Sequence, residues 1–259
     1  VARALARVRE QKEELGLLAP ADSEPPTQID LDSPAHRAVA RDLAERSLVL
    51  LSNDGTLPLA RPGRVAVIGP NGHDSSALMG CYPFANHVRP HHPGTPFGFE
   101  IPTVTDALRA QLPESAIVSV TGCDVEGDDR SGFAAAVDAA ASADVAIVVV
   151  GDRAGLFGRG TVGEGNDAES LELPGVQRAL VEEVVATGTP VVLVVVTGRP
   201  YALSWALDGA AGGVPAAVVQ AFFPGEAGGT AISRVLSGTA SPAGRLPGLL
   251  PPPAGGSPA

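Results

Sequence analysis

The chain has 259 residues, 44% of them hydrophobic, and carries 29 acidic against 18 basic side chains for a net charge of −11. That length holds one large or two small domains, and the apolar content is ample for a sizeable core. The charge argues against nucleic acid or an anionic membrane surface as partner, because either needs a basic patch and the sequence shows none.

Two cysteines, Cys81 and Cys123, make no disulfide framework and lie in no CxxC motif; buried thiols are expected, with a bridge between them as the alternative. No apolar run reaches membrane-spanning length. In chain order, residues 1–18 place Leu5, Val8, Leu15 and Leu18 at helical spacing, with Gly16 as the stop. Residues 19–33, rich in proline and acids, read as an extended linker, so a domain boundary is expected near residue 30. Ser33-Pro34 opens a helix predicted to run to about residue 51. Apolar, mostly β-branched runs then predict strands at 64–69, 117–120, 145–150, 190–197 and 216–221. Between them, helices are predicted at 103–112, 131–143, 174–186, 201–207 and 226–236. Strands alternating with helices predict an α/β fold, a three-layer sandwich around a mostly parallel sheet with helices on both faces. In such sheets ligands gather at the carboxyl ends of the strands, so the loops after Gly69, Gly151, Thr197 and Ala221 should share one edge. The tail at 248–259, almost all Pro, Gly and Ala, reads as disordered.

The long glycine-rich loop at 151–173 has no apolar periodicity and holds Glu164 between Gly163 and Gly165. Gly158, Gly160 and Gly163 spell GxGxxG, but seven residues past the strand end and with no apolar helix following, which argues against a dinucleotide site. A glutamate between two glycines on a mobile loop can be carried into a cleft and desolvated, the condition for a general acid. On local chemistry alone the solvated loop residue is the favoured reading, and Asp152, Asp167 and Glu169 compete for any role. Arg199 is expected to hold a ligand oxygen or a loop carboxylate, or else to form a structural ion pair. Glu226 suits a helix dipole, and Trp205 is either a sugar platform or core. His73, His87, His91 and His92 lack a metal-ligand spacing, and His91-His92 reads as the lining of an entrance.

The segments AERSLVLLSNDGTLPL, RVAVIGPNG, MGCYPF, GRGTVGEGNDAESLELPGVQ, VLVVVTGRPYAL, VVQAFFPGEAGGTAISRVLSG and SPAGRLP, in that order over about residues 34–247, resemble the C-terminal α/β sandwich domain of glycoside hydrolase family 3. Within that family they are most similar to the bacterial β-xylosidase and β-glucosidase branch. The resemblance implies a sheet of about six strands packed beside a (β/α)8 barrel, whose closing helix residues 1–18 also resemble. It implies a retaining double displacement on a terminal β-linked sugar of an oligosaccharide or aryl β-glycoside, without a cofactor or metal. In that chemistry an aspartate of the barrel, in cis or trans, is the nucleophile. Glu164, as the glutamate of the GEG motif, is then the acid/base, with Arg159, Asp167 and the segment Gly80-Cys81-Tyr82 lining the pocket. Where the family usually has GEGxDR this chain has GEGNDA, so Ala168 stands where an arginine would orient the loop. The nucleophile and main sugar pocket fall outside these 259 residues, so the chain alone is not expected to complete the reaction. The alternative is a non-catalytic α/β module that binds carbohydrate or a partner protein.

Overall fold

The computed structural model describes residues 1–18, 30–208 and 213–251. Contacts divide the chain into two units, Val1–Ser33 and Pro34–Ala259. In the first, helix α1 (Ala2–Glu14) ends where expected. Gly16 at φ +70 lets the amides of Gly16 and Leu17 turn back onto the carbonyls of Glu13 and Lys12, closing the helix with a Schellman motif. None of its side chains is buried, and Leu5, Val8, Leu15 and Leu18 stand exposed. Most of the linker expected at 19–33, and the tail from 252 on, lie outside the described residues.

The second unit is one six-stranded sheet with helices on both faces. Helix α2 (Pro34–Ser47) leads into strand β1 (Val49–Asn53), followed by β2 (Arg64–Ile68), the short α3 (Phe84–His87), α4 (Val104–Gln111) and β3 (Ala116–Val120). Then come α5 (Phe133–Ala141), β4 (Val145–Gly151), α6 (Gln177–Val185), β5 (Val191–Val196), α7 (Ser204–Leu207), β6 (Ala217–Gln220) and α8 (Gly228–Leu236). The spatial order is β1-β6-β5-β4-β2-β3, parallel throughout except for β1, which runs antiparallel along β6.

Strand β1 corrects the helix predicted to continue to residue 51. Leu50 keeps the helical phase of Leu43, and neither Gly nor Pro breaks the sequence between them. A short apolar run of this kind is ambiguous until pairing decides. Here the edge of β6 decides, with Val49 opposite Gln220 and Asn53 opposite Ala217 across a bulge between Leu50 and Ser52.

Because both faces are covered, the central strands need no polar alternation, and every residue of β4 and β5 is buried. Alternation instead divides their side chains between two cores. Val65, Val67, Ile147, Val149, Val192 and Val194 pack under α2, α4 and α8. Ala66, Ile68, Val148, Val150, Leu193 and Val195 pack under α5, α6 and α7. Trp205 joins the second core, its ring 5.2 Å from the Arg178 guanidinium, which favours the core reading over the sugar platform. Among the described residues no helix is long and apolar enough to cross a membrane.

Both cysteines are free thiols. Burial pushes the Cys123 thiol up to about 11, with Asp124 adding to the effect, and burial also raises Cys81. A raised thiol pKa leaves little thiolate near neutrality. Titration of the native chain with a disulfide reagent at pH 8 should therefore modify Cys81 slowly and leave Cys123 unreacted, while in urea both should react at once.

Candidate active site

The site is built on the end of the central strand. Gly151, at φ +142, lies so close to β5 that a Cβ would fall 2.0 Å from the carbonyl oxygen of Val196. Gln177, wholly buried at the start of α6, accepts from the Gly151 amide at 2.8 Å. Its amide group donates to the carbonyls of Gly151, Val125 and Pro174. The chain therefore leaves the sheet at a fixed angle.

Next comes Asp152, a carboxyl group with no solvent exposure. One oxygen accepts from the hydroxyls of Thr161, at 2.7 Å, and Tyr201; the other accepts from the Gly198 amide at 3.0 Å. The Tyr201 hydroxyl is held well above its ordinary pKa, by burial first and then by its bond to Asp152. Asp152 is thus withdrawn from the competition for chemistry. Its three donors come from the loop, from the end of β5 and from the segment beyond it.

The loop then folds back on itself. Arg153 and Thr161 exchange hydrogen bonds, the Gly155 amide donates to Val162, and the Phe157 amide donates to the Glu164 carbonyl at 2.8 Å. Buried Asn166 fastens the turn from inside, accepting from the Gly160 amide and donating to the carbonyls of Gly155 and Glu164. Among the described residues Arg199 pairs with no carboxylate. Its guanidinium donates to the carbonyls of Thr161, at 3.0 Å, and Asn166, at 2.7 Å, bracketing Glu164 from the segment after β5.

The two glycines beside Glu164 also act otherwise than expected of a mobile pair. Gly163 sits at φ +123, where a Cβ would meet the Gly155 carbonyl oxygen at 2.0 Å and the Cys81 sulfur at 2.5 Å. Gly165 sits at φ +75 against Phe157. Close approach and left-handed backbone require them, and the loop they shape is packed.

On this support the Glu164 side chain stands exposed, with one carboxylate oxygen accepting from the Tyr82 hydroxyl at 2.8 Å. That bond is the largest cause of the raised Tyr82 pKa. The Tyr82 segment is itself tied down, since Asn86 donates to the carbonyls of Ser76, Met79 and Gly80. The structure thus brings together Glu164 and Tyr82 but distributes the other two expected residues. Arg159 lies on a cleft of about 370 Å³ with Asp74, His87, Arg89 and His91. Asp167 lines a separate hollow of about 380 Å³ with Ala168, Glu169, Arg199 and Tyr201. The GxGxxG glycines open no helix, as the next one starts at Gln177, so the dinucleotide reading fails on geometry. Among the described residues no group of three His, Cys, Asp or Glu is placed to hold a metal ion.

Residues 48–258 match the glycosyl hydrolase family 3 C-terminal domain. The chain belongs to this family. It is 31% identical over 249 residues to a β-xylosidase of Formosa agariphila, covering 94% of this chain and 32% of that protein. It is likewise 31% identical to the periplasmic β-glucosidase of Salmonella typhimurium, covering 89% of this chain and 30% of that protein. Among solved structures, a β-glucosidase involved in saponin metabolism from intestinal bacteria superimposes with a TM-score of 0.72 at 27% identity, over 83% of this chain and 33% of that one. The chain therefore spans about a third of the length of these relatives. The sheet of this family 3 domain is mostly parallel with six strands, and the α/β fold is shared with that solved β-glucosidase.

Two substitutions test the support. Asp152→Ala would leave the buried Tyr201 hydroxyl and two part-buried donors, from Thr161 and Gly198, without their acceptor, and should lower unfolding free energy by about 1–3 kcal/mol. Gly163→Ala should cost a similar amount, about 1–3 kcal/mol, through backbone strain and forced displacement of the loop. Urea unfolding followed by circular dichroism measures both, and a loss below about 0.5 kcal/mol at either position, the range of ordinary surface substitutions, would contradict the role assigned to it.

Proposed function

We propose that this domain supplies the general acid/base of a retaining β-glycosidase, with Glu164 as the group that protonates the leaving oxygen and then activates water. The carrying observation is the exposed Glu164 carboxylate on a loop that is otherwise tightly held, at the carboxyl edge of the sheet, with Tyr82 as its hydrogen-bond partner. Membership of family 3 supports a glycoside as substrate, and relatives named as β-xylosidases and β-glucosidases favour a terminal β-linked xylose or glucose.

A retaining displacement needs a second carboxylate about 5 Å from the first, across the glycosidic bond. That nucleophile belongs on a (β/α)8 barrel, in cis or in trans, which also reads the sugar hydroxyls. We read residues 1–18 as the closing helix of such a barrel, and its unburied stripe of Leu5, Val8, Leu15 and Leu18 supports this. Residues 19–33 are then a linker and 34–247 the catalytic-wall domain. Tyr82 keeps the Glu164 carboxylate in one orientation until substrate enters, Arg159 lines the leaving-group side, and Asp167 offers a carboxylate to a sugar hydroxyl from the neighbouring hollow.

The test is turnover of aryl β-xylosides and β-glucosides by the full chain, alone and with a family 3 barrel domain supplied. The chain alone should be inactive and the complemented pair active. Glu164→Gln in the pair should lower kcat by about 10²–10⁴-fold, the usual share of a positioned proton donor. Full activity in that variant would remove Glu164 from the mechanism. Tyr82→Phe, which deletes one hydrogen bond, should cost only about three- to tenfold in kcat.

A further inference from the structure

The cleft beside the acid loop collects basic side chains within an acidic protein. Arg89, Arg153, Arg159, His87 and His91 line it, and Asp74 is the single carboxylate among its lining residues. Asp74 is occupied in accepting from the Ser76 amide, and Arg153 lies 3.6 Å from Glu126. Arg89 and Arg159 have no carboxylate partner among the described residues. Arg159 instead lies 3.4 Å from both ring nitrogens of His91, and the Arg89 guanidinium covers the Phe97 ring at 4.0 Å, its Nε buried without an acceptor. Two guanidinium groups without a carboxylate partner, one of them with an unmet buried donor at Nε, call for an explanation.

Position supplies the explanation. The Tyr82 hydroxyl bonds Glu164, and the Tyr82 ring meets the His87 ring edge-on at 6.2 Å, so the cleft begins one side chain away from the acid. An acid that protonates the leaving oxygen has the leaving group beside it. We propose that this cleft is a subsite for a leaving group bearing a carboxylate, such as a sugar-acid unit, with Arg159 and Arg89 as its counter-charges. The planar guanidinium fork matches a carboxylate in two parallel hydrogen bonds, which no neutral sugar hydroxyl can accept. The inference rests on reading Glu164 as the general acid, but its binding half can be measured without turnover.

The first measurement titrates the full chain at low salt with glucuronate, glucose and inorganic phosphate, followed by the imidazole proton resonances of His87 and His91. Glucuronate should saturate and shift both, should bind about tenfold more weakly to Arg159→Gln, and should outcompete the other two; glucose binding as well, or phosphate binding better, overturns the proposal. The second uses the barrel-complemented enzyme with paired aryl β-xylosides of matched leaving-group acidity, one ring bearing a carboxylate and the other a carboxamide. The carboxylate member should be preferred by about tenfold in kcat/KM, and Arg159→Gln should bring the ratio towards one; a ratio of one in the native pair overturns the proposal. If Glu164→Gln leaves turnover intact, the acid assignment fails by itself, while the glucuronate titration still reports on the cleft.

Discussion

A single buried carboxyl group holds the site together. Asp152 carries no solvent exposure, and removing a carboxylate from water without partners costs several kcal/mol. Three donors offset that cost, each bond to a charged acceptor contributing about 1.5–3 kcal/mol. They come from Thr161, Gly198 and Tyr201, so the same balance that satisfies Asp152 fixes the loop, the end of β5 and the segment after it relative to β4. Losing any one of the three segments would leave the others with an under-satisfied charge. The anchor therefore works as a unit.

The Glu164 loop inherits its geometry from that anchor. Thr161, held by Asp152, is also held through its carbonyl by Arg199, and the second arm of Arg199 reaches Asn166 two residues beyond Glu164. Asn166 in turn fastens Gly155 and Gly160. The cation that steadies the turn comes from the segment just beyond β5. A rigid base with one exposed carboxylate at its tip suits a proton donor, because misplacement by about an ångström can cost on the order of a hundredfold in rate.

The sheet was legible because its strands are covered on both faces: unbroken β-branched runs such as residues 145–150 and 190–197 leave no competing period. Strand β1 was not legible, since Leu48 to Asn53 follows a helix in phase and only the edge of β6 makes it a strand. The site divides in the same way. Glu164 was visible through its motif, yet its bond to Tyr82 spans 82 residues, and nothing local marks either partner for the other. Glycine permits both motion and close packing, and the sequence does not say which applies at Gly163 and Gly165; a Cβ 2.0 Å from the Gly155 carbonyl oxygen at Gly163 does. Arg199 was readable as a needed cation, but its carbonyl partners are backbone groups that carry no sequence signature.

The electrostatics of the molecule act on two length scales. A net charge of −11 repels anions at a distance, but at physiological ionic strength that field fades over a Debye length of about 8 Å. Within that distance only the nearest charges count, and in the cleft they are three guanidinium groups with a single lining carboxylate. An anion that diffuses to the mouth is therefore met by an attraction the whole-protein charge does not foretell. Low-dielectric walls strengthen it, and a barrel wall closing over Glu164 would exclude water and strengthen it further. The same closure would transfer Glu164 from solvent to a site where a leaving oxygen can take its proton. Recognition of the leaving group and delivery of the proton would then depend on one event, the covering of this edge of the sheet.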